Sequence, residues 1–375
     1  MPDGELFAAG KDLGHPAPDN AVLLPFAGSA PFVEDHPGEL DGFDQAARVA
    51  QETARFAEEV DVHDLPPIFH YWSDTYLRPK LEHLGAKGID DYFANALGKV
   101  LDGLGRPARF VSLGAGNCDT EVRVSKLLCG REKTDFILDC VELTPAMVDR
   151  GRDLTRSEGM TDRVRPMVGD LNSWRPEHQY DAVLANQSLH HVVNLEGLFD
   201  AVAAGLAPEG RFITSDMIGR NGHQRWPEAR AIVEEFWAEL PENYRYHLQL
   251  RRHEEHFLDW DCSVEGFEGI RSQDILPMLL DRFEFEEFLA FGNVIDPFID
   301  RGFGPHFDPD NPWDRSFIDR VHARDEAELA AGTITPTHLI ATLRLGDGPA
   351  ERRIPEASSP RSCSPAMRPT APLPG

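Results

Sequence analysis

Basic residues are scarce in this 375-residue chain: 37 lysines and arginines stand against 64 aspartates and glutamates, a formal net charge of −27. Such a surface repels a phosphate backbone and gains nothing from counterion release, which excludes nucleic acid as the expected partner. Long apolar runs are missing too. None reaches the roughly 18 to 20 residues that cross a bilayer, and the start, MPDGELFAAGKD, lacks a basic segment followed by an apolar one. Cysteine is sparse and unpaired in pattern: five residues, Cys118, Cys129, Cys140, Cys262 and Cys363, scattered without a C-x-x-C pair, argue against a disulfide framework or a zinc ribbon. These absences point to a cytoplasmic protein with reduced thiols and with neither a membrane nor a nucleic acid as its expected partner.

Periodicity is also weak at the two ends. Residues 1–40 carry Pro16, Pro18, Pro25, Pro31 and Pro37 among glycines and acids and read as an irregular arm. Residues 346–375 are rich in proline, serine and arginine, too poor in apolar side chains to pack, and read as disordered. From Asp41, Phe43, Ala46, Ala47, Ala50, Ala54 and Phe56 are spaced for one apolar helical face, and the pattern resumes from Phe69 to Leu84. This predicts a helical cap over 41–106.

Between Ala108 and Met217 short apolar, β-branched runs alternate with helical stretches, the pattern of βαβ units in a parallel sheet. Strands are expected over 109–113, 136–142, 163–168, 181–186 and 211–216, with AAGLAPEG (203–210) as a helix end and tight turn into the fifth. An aromatic, helical stretch is expected over 226–257 and a further helix over 275–280. Two late strand-like runs, 283–291 and 337–343, suit a pair added at one sheet edge. The fold class is therefore α/β, doubly wound, with a core over 107–345 and a helical lid over 220–280.

The segment RFVSLGAGNCDTEV sets an apolar strand before Gly114-Ala115-Gly116 and a helical pattern after it, so that a ligand can approach the backbone and meet a helix N-terminus. The next strand, FILDCVE, ends on Glu142, about two dozen residues beyond the turn, where a carboxylate can accept from both ribose hydroxyls. This points to an adenosine-containing cofactor. A dinucleotide would need a glycine at Asp119 for G-x-G-x-x-G, and an acid there repels a pyrophosphate, whereas the sulfonium of S-adenosylmethionine tolerates acidic surroundings.

Over roughly Ala108 to Arg344 the chain resembles the class I S-adenosylmethionine-dependent methyltransferases. VSLGAGNC looks like their glycine-rich first motif and VELTPAMVDRGR like the second, in which Glu142, with Leu143 beside it, would hold the ribose. VGDLNSW resembles the third, where Asp170 would accept from the adenine amino group and Leu171 would pack on the ring. YDAVLANQSLHHV resembles the fourth, LAPEGRFITSD the turn and fifth strand, and FEFEEFLAFGN with HLIATLRL the late edge strands, one of them reversed. The resemblance implies a seven-stranded, mostly parallel sheet. Two positions depart from it: Ser112 stands where an acid is frequent, and Cys118 where the third glycine would be.

The loop NQSLHH comes after the fourth strand, so its side chains emerge at the carboxyl edge where doubly wound folds bind ligands. Asn186 and Gln187 are expected to line the methyl-donor face, and His190 or His191 to serve as general base, against the bland alternative of a ring that only shapes the loop. In IFHYWSDTYLRPK, Tyr71 or Arg78 would reach the methionyl carboxylate, unless the aromatics simply pack on the core. HEEH (253–256) has three-residue rather than H-E-x-x-H spacing, so no metal is expected there, and the acids of 308–314 read as a solvated turn. Cys118 could lie beside the ligand. The function expected is methyl transfer from S-adenosylmethionine to a small or medium-sized acceptor, with oxygen preferred. The rivals are a dinucleotide-dependent oxidoreductase or epimerase and a non-catalytic binding protein that keeps the fold.

Overall fold

The computed structural model describes residues 48, 50, 65–131, 135–264, 266–346 and 360–363. The irregular arm, nearly all of the first half of the cap pattern and most of the tail lie outside them. The described residues belong to one unit, Asp44–Gly375.

β1 (Ala108–Leu113), β2 (Phe136–Glu142) and β4 (Tyr180–Asn186) are almost wholly buried. Their near-continuous apolar runs suit strands covered on both faces. With β3 (Val164–Val168), β5 (Leu206–Met217), β8 (Glu284–Phe291) and β9 (His338–Arg344) they form one sheet in the order β3-β2-β1-β4-β5-β9-β8. β1 to β5 run parallel, and β9 is antiparallel to both β5 and β8. The chain order reverses between β1 and β4. That is the switch point of a doubly wound sheet, where connections leave in opposite directions and open a crevice at the carboxyl ends.

Strand alternation sorts the core onto two faces. Phe110, Leu138 and Leu184 join an apolar cluster with α3 (Ile89–Gly103), α4 (Asp119–Cys129), α7 (Pro227–Trp237) and α10 (Pro312–Ala331). Val111, Leu113 and Val183 join another with α6 (Leu195–Gly205) and α8 (Ser272–Arg282). The cap pattern after Pro66 forms α1 (Pro67–Trp72), a π turn over Ser73–Leu77 and α2 (Arg78–His83). α5 (Pro145–Ser157) links β2 to β3.

Four expectations need correction. The stretch 226–257 is helical only in α7; after Trp237 come a 3₁₀ turn (Glu242–Tyr244) and a two-residue hairpin, β6 (Tyr246–His247) with β7 (Arg252–His253). Pro241 halts the helix, lacking the N–H it needs. Its aromatics are core: Trp237 packs edge-on to Phe303 with ring centroids 4.8 Å apart, and Phe236 packs on Phe317. The late strands are separated by the short α9 (Asp296–Ile299) and the 20-residue α10, which no sequence pattern announced. The acids at 308–314 are not all solvated. Asp314 is 1% exposed and accepts from the Tyr244 hydroxyl (2.8 Å) and the Asp308 N–H (2.7 Å). In the tail, Pro360–Cys363 forms a helical turn against α8 and β8, because Cys363 is apolar enough to join the cluster on that face.

Candidate functional site

β1 ends in the turn Gly114-Ala115-Gly116, whose first two N–H groups both donate to the Val141 carbonyl of β2 (2.8 and 3.1 Å). Gly114 has φ +74°, and a Cβ there would fall inside the van der Waals shell of the Ser188 side chain, with Leu171 Cδ1 3.5 Å from the same point. Only glycine meets both demands. The Gly116 N–H donates to Glu142 Oε2 (3.0 Å), and Oε1 of the same carboxylate accepts from the Thr144 N–H (2.9 Å). Glu142 is thereby fixed across the turn at the end of β2, with Leu143 half-buried behind it. The Gly169 N–H donates to the Glu142 carbonyl, and Asp170 Oδ1 accepts from both nitrogens of Asn172 (2.9 and 3.0 Å). The structure thus brings the turn, Glu142, Asp170 and Leu171 to one edge of β1, β2 and β3.

Both departures in the first motif have a structural counterpart. Ser112 donates to Glu121 Oε1 (2.7 Å) from within the core, so a carboxyl group missing from β1 is supplied by the first turn of α4. Burial pushes the Glu121 carboxyl up to about 7, and its Oε2 has no hydrogen-bond partner among the described residues. Cys118 keeps the left-handed conformation of the glycine it replaces, φ 63°, at a cost on the order of 1 kcal/mol. Its thiol is 1% exposed and packs towards Gly151 of α5. It therefore lies beneath the turn, not beside a ligand.

A second group of side chains converges on the loop after β4. Gln187 turns there with φ 53°, its N–H donating to the Ser215 carbonyl (2.7 Å), while Ser188 Oγ donates to the Leu113 carbonyl (2.7 Å) and ties this loop to the glycine turn. Asp216, fully buried in β5, organises the rest of this loop. Its Oδ2 accepts from the Ser188 and Leu189 N–H groups (2.9 and 2.7 Å), and its Oδ1 meets His190 Nδ1 at 2.6 Å. The other ring nitrogen, His190 Nε2, stands 3.4 Å from Glu268 Oε1, His191 Nε2 stands 3.7 Å from Glu268 Oε2, and His223 Nε2 lies 2.8 Å from Glu268 Oε1. The Ile270 N–H donates to the His190 carbonyl, and the Gly222 N–H to that of Gly269. Three segments distant in sequence are knitted into one cluster.

Burial opposes a charge on His190, but Asp216 and Glu268 outweigh it and push the ring up to about 10. Burial would raise Glu268, yet His191, His190 and His223 hold it well below the usual carboxylate range. Asp216, fully buried, and Glu268, about a quarter exposed, thus favour the charged form of His190. Asp216, His223, Glu268 and Glu121 were not singled out in the sequence. Asp216 lies at the end of a strand and Glu121 in the helix after the glycine turn, where nothing local sets them apart, and His223 and Glu268 lie in stretches without recognisable spacing.

Tyr71 and Arg78 face elsewhere. The Tyr71 hydroxyl donates to Asp319 of α10 (2.8 Å), with Arg315 over its ring, and Arg78 pairs with Asp74 one turn back on the exposed surface. His253 Nε2 meets the Glu242 carbonyl on the surface. At the opposite, amino edge of the sheet a cleft of about 580 Å³ is lined by Lys99, Arg106, Asp181, Arg211, Glu286 and Glu287, whose charges pair with one another. Ligands of doubly wound sheets bind at the other edge, where the glycine turn lies.

A seven-stranded sheet with this order and one reversed strand, carrying a glycine turn and a strand-end carboxylate, defines the Rossmann-like methyltransferase fold. Residues 111–212, from within β1 to within β5, match a family model described as a methyltransferase domain. Over those residues the chain is similar to methyltransferases, and the order of its sheet is that of the methyltransferase fold. No curated protein sequence matches it. Among solved structures it is similar to the O-methyltransferase from a trans-AT PKS multienzyme of Brevibacillus brevis, bound to S-adenosyl-L-homocysteine, at 10% identity over 76% of this chain and 85% of that one, with TM-score 0.40. It is also similar to an S-adenosylmethionine-dependent methyltransferase from Geobacter sulfurreducens, at 13% identity over 68% and 90%, with TM-score 0.36. Likenesses this distant carry no argument about the reaction. No helix among the described residues is long and apolar enough to cross a membrane.

The residues present fit the cofactor. Gly114 keeps the turn open where any Cβ would close it, Glu142 is anchored for a ribose, and α4 begins on Asp119 with Glu121 in its first turn. That acidic start suits a sulfonium and disfavours a pyrophosphate.

Proposed function

We propose that the chain methylates an oxygen of a small or medium-sized acceptor held between the glycine turn and the imidazole–carboxylate cluster. One observation carries this reading. Ser188 joins the two groups directly, so the polar cluster opens on the same sheet edge as the cofactor turn.

Bound S-adenosylmethionine supplies a methyl group on a positively charged sulfur and leaves as S-adenosylhomocysteine. Gly114, Ala115 and Gly116 let it approach the backbone, Glu142 beside Leu143 takes the ribose hydroxyls, Asp170 takes the adenine amino group and Leu171 covers the ring. Asn186 and Gln187, leaving β4 at the switch point, face the acceptor side. Holding an acceptor in line with the sulfonium and keeping water away supplies most of the rate in such a transfer. His191, the more exposed imidazole, would polarise the acceptor hydroxyl and take its proton as the new bond to carbon forms, with His190 holding the loop through Asp216. Cytoplasmic residence is proposed with it, from the few and widely scattered cysteines of the sequence.

Incubation with methyl-labelled S-adenosylmethionine and a panel of hydroxyl, amine and carbon acceptors tests the assignment. Label on oxygen is the expected result. Label confined to nitrogen or carbon would sink the choice of oxygen, and saturable binding of S-adenosylhomocysteine without any transfer would sink the catalytic reading.

A further inference from the structure

The cluster beyond the glycine turn is more organised than polarising a hydroxyl requires. One ligand atom from each of His190, His191 and Glu268 lies within 4.8 Å of the other two. The contacts to Glu268 are 3.4 Å from His190 Nε2 and 3.7 Å from His191 Nε2. Those are longer than the roughly 2.7–3.2 Å of a good N–H···O hydrogen bond. They are close to what two donors show when they share one ion: at metal–ligand distances of about 2.0–2.2 Å, tetrahedral or octahedral angles separate neighbouring donors by about 3.0–3.5 Å.

The groups behind these three complete the pattern. A ligating imidazole usually has its other nitrogen held by a carboxylate, and a ligating carboxylate is usually hydrogen-bonded in turn. His190 Nδ1 meets the buried Asp216 at 2.6 Å, which aims Nε2 at Glu268, and His223 Nε2 lies 2.8 Å from Glu268 Oε1. Asp216 is itself locked by the Ser188 and Leu189 N–H groups, so the orientation is set before anything binds. His190 is buried, while His191 and Glu268 are about a quarter exposed, which leaves the group reachable from one side. Two carboxylates beside three imidazoles supply the negative charge that would let a metal ion displace the proton on His190 Nε2.

We propose that His190, His191 and Glu268 bind a divalent first-row transition-metal ion, with Asp216 and His223 as positioning residues. Two imidazoles and one carboxylate suit zinc, iron(II), manganese or cobalt, and disfavour magnesium and calcium, which take all-oxygen shells. Three protein ligands leave coordination positions open on the exposed side, facing the acceptor region. The metal site stands whether or not the methyl acceptor is an oxygen; only its use in orienting an acceptor rests on the methyl-transfer reading.

The test uses the full chain, stripped with a chelator and titrated with Co²⁺ followed by visible absorption and calorimetry, and with Zn²⁺ in competition. One saturable equivalent, with the ligand-field bands of a nitrogen- and oxygen-bound cobalt, is expected. His191→Ala and Glu268→Gln should each weaken Co²⁺ at least 100-fold, and His223→Ala about 10- to 100-fold. S-adenosylhomocysteine affinity, measured on the same samples, should stay unchanged, which shows that the variants are folded and separates this proposal from the cofactor reading. Absence of saturable Co²⁺ binding by a sample that binds S-adenosylhomocysteine would overturn the metal site. So would equal affinity in the wild type and His191→Ala.

Discussion

The two halves of the site are built by different means. The half proposed for the cofactor comes from one stretch of sequence, Val111 to Leu171, and is held by backbone N–H groups: the turn donates to Val141, and Gly116 and Thr144 donate to Glu142. The half proposed for the acceptor draws on the loop after β4, the end of β5 and residues 220–223 and 268–271, and its side chains converge on Asp216 and Glu268. Backbone geometry repeats wherever a strand, a glycine turn and a helix succeed one another. A side-chain cluster depends on its own tertiary surroundings: the loop after β4 lies within the residues that the family model matches, whereas His223 and Glu268 lie beyond them.

Removing the hub of the acceptor half should produce the largest effect. Asp216→Asn leaves the His190 ring without its buried counter-charge and costs about 3–5 kcal/mol of stability, read as a lowered denaturant midpoint. A change below about 1 kcal/mol would show that this cluster is not what knits the segments together.

Glu121 probes the cofactor half from beneath. Its folded pKa of about 7 lies above the ordinary 4.5 expected on unfolding, so between those values the native chain binds more protons. Wild-type stability should therefore fall as pH rises from about 4.5 to 7, by on the order of 3 kcal/mol, and level off above. Glu121→Gln keeps an acceptor for Ser112 and removes the titration, so its advantage over the wild type should grow through that window. Parallel stability curves for the two proteins would remove Glu121 as a titrating core acid.

Glu142→Ala deletes a carboxylate that anchors the turn and is proposed to hold the ribose. Calorimetry should show S-adenosylhomocysteine binding weakened about 100-fold, since two charge-assisted hydrogen bonds are worth about 3 kcal/mol, with Co²⁺ affinity intact. Loss of both affinities together would mean that the halves are not separable. The smallest effect belongs to Arg78→Ala: its exposed pair with Asp74 is worth under about 0.5 kcal/mol, and S-adenosylhomocysteine affinity should not move. A clear loss of affinity would restore Arg78 to the cofactor site.

Expected and observed elements agree best where burial on both faces leaves a run little choice. β2 is found at the expected 136–142, and β1, β3 and β4 within one residue of expectation. β5 begins five residues early, because Leu206 already pairs with Tyr180 before the chain bulges back into register at Arg211. α10 was missed: its start at Asn311-Pro312 was read as a polar turn, although Asn311 caps the helix by accepting from the Trp313 N–H. Tyr71 was misplaced for the converse reason. A helix pattern says which residues share a face, not which neighbour that face meets, and the neighbour was the unforeseen α10.

From sequence alone came the doubly wound class, the glycine turn, Glu142 at the end of β2 and the acidic surroundings that favour a sulfonium. These are properties of consecutive residues, set by backbone conformation and by the alternation of buried strands. Tertiary structure alone decided that Glu121 answers for Ser112, that Cys118 turns inward, and that His190 is gripped between Asp216 and Glu268. Those outcomes depend on partners 9 to 78 positions away, reached by packing rather than by spacing, and the distances between side chains are what give the cluster its chemistry.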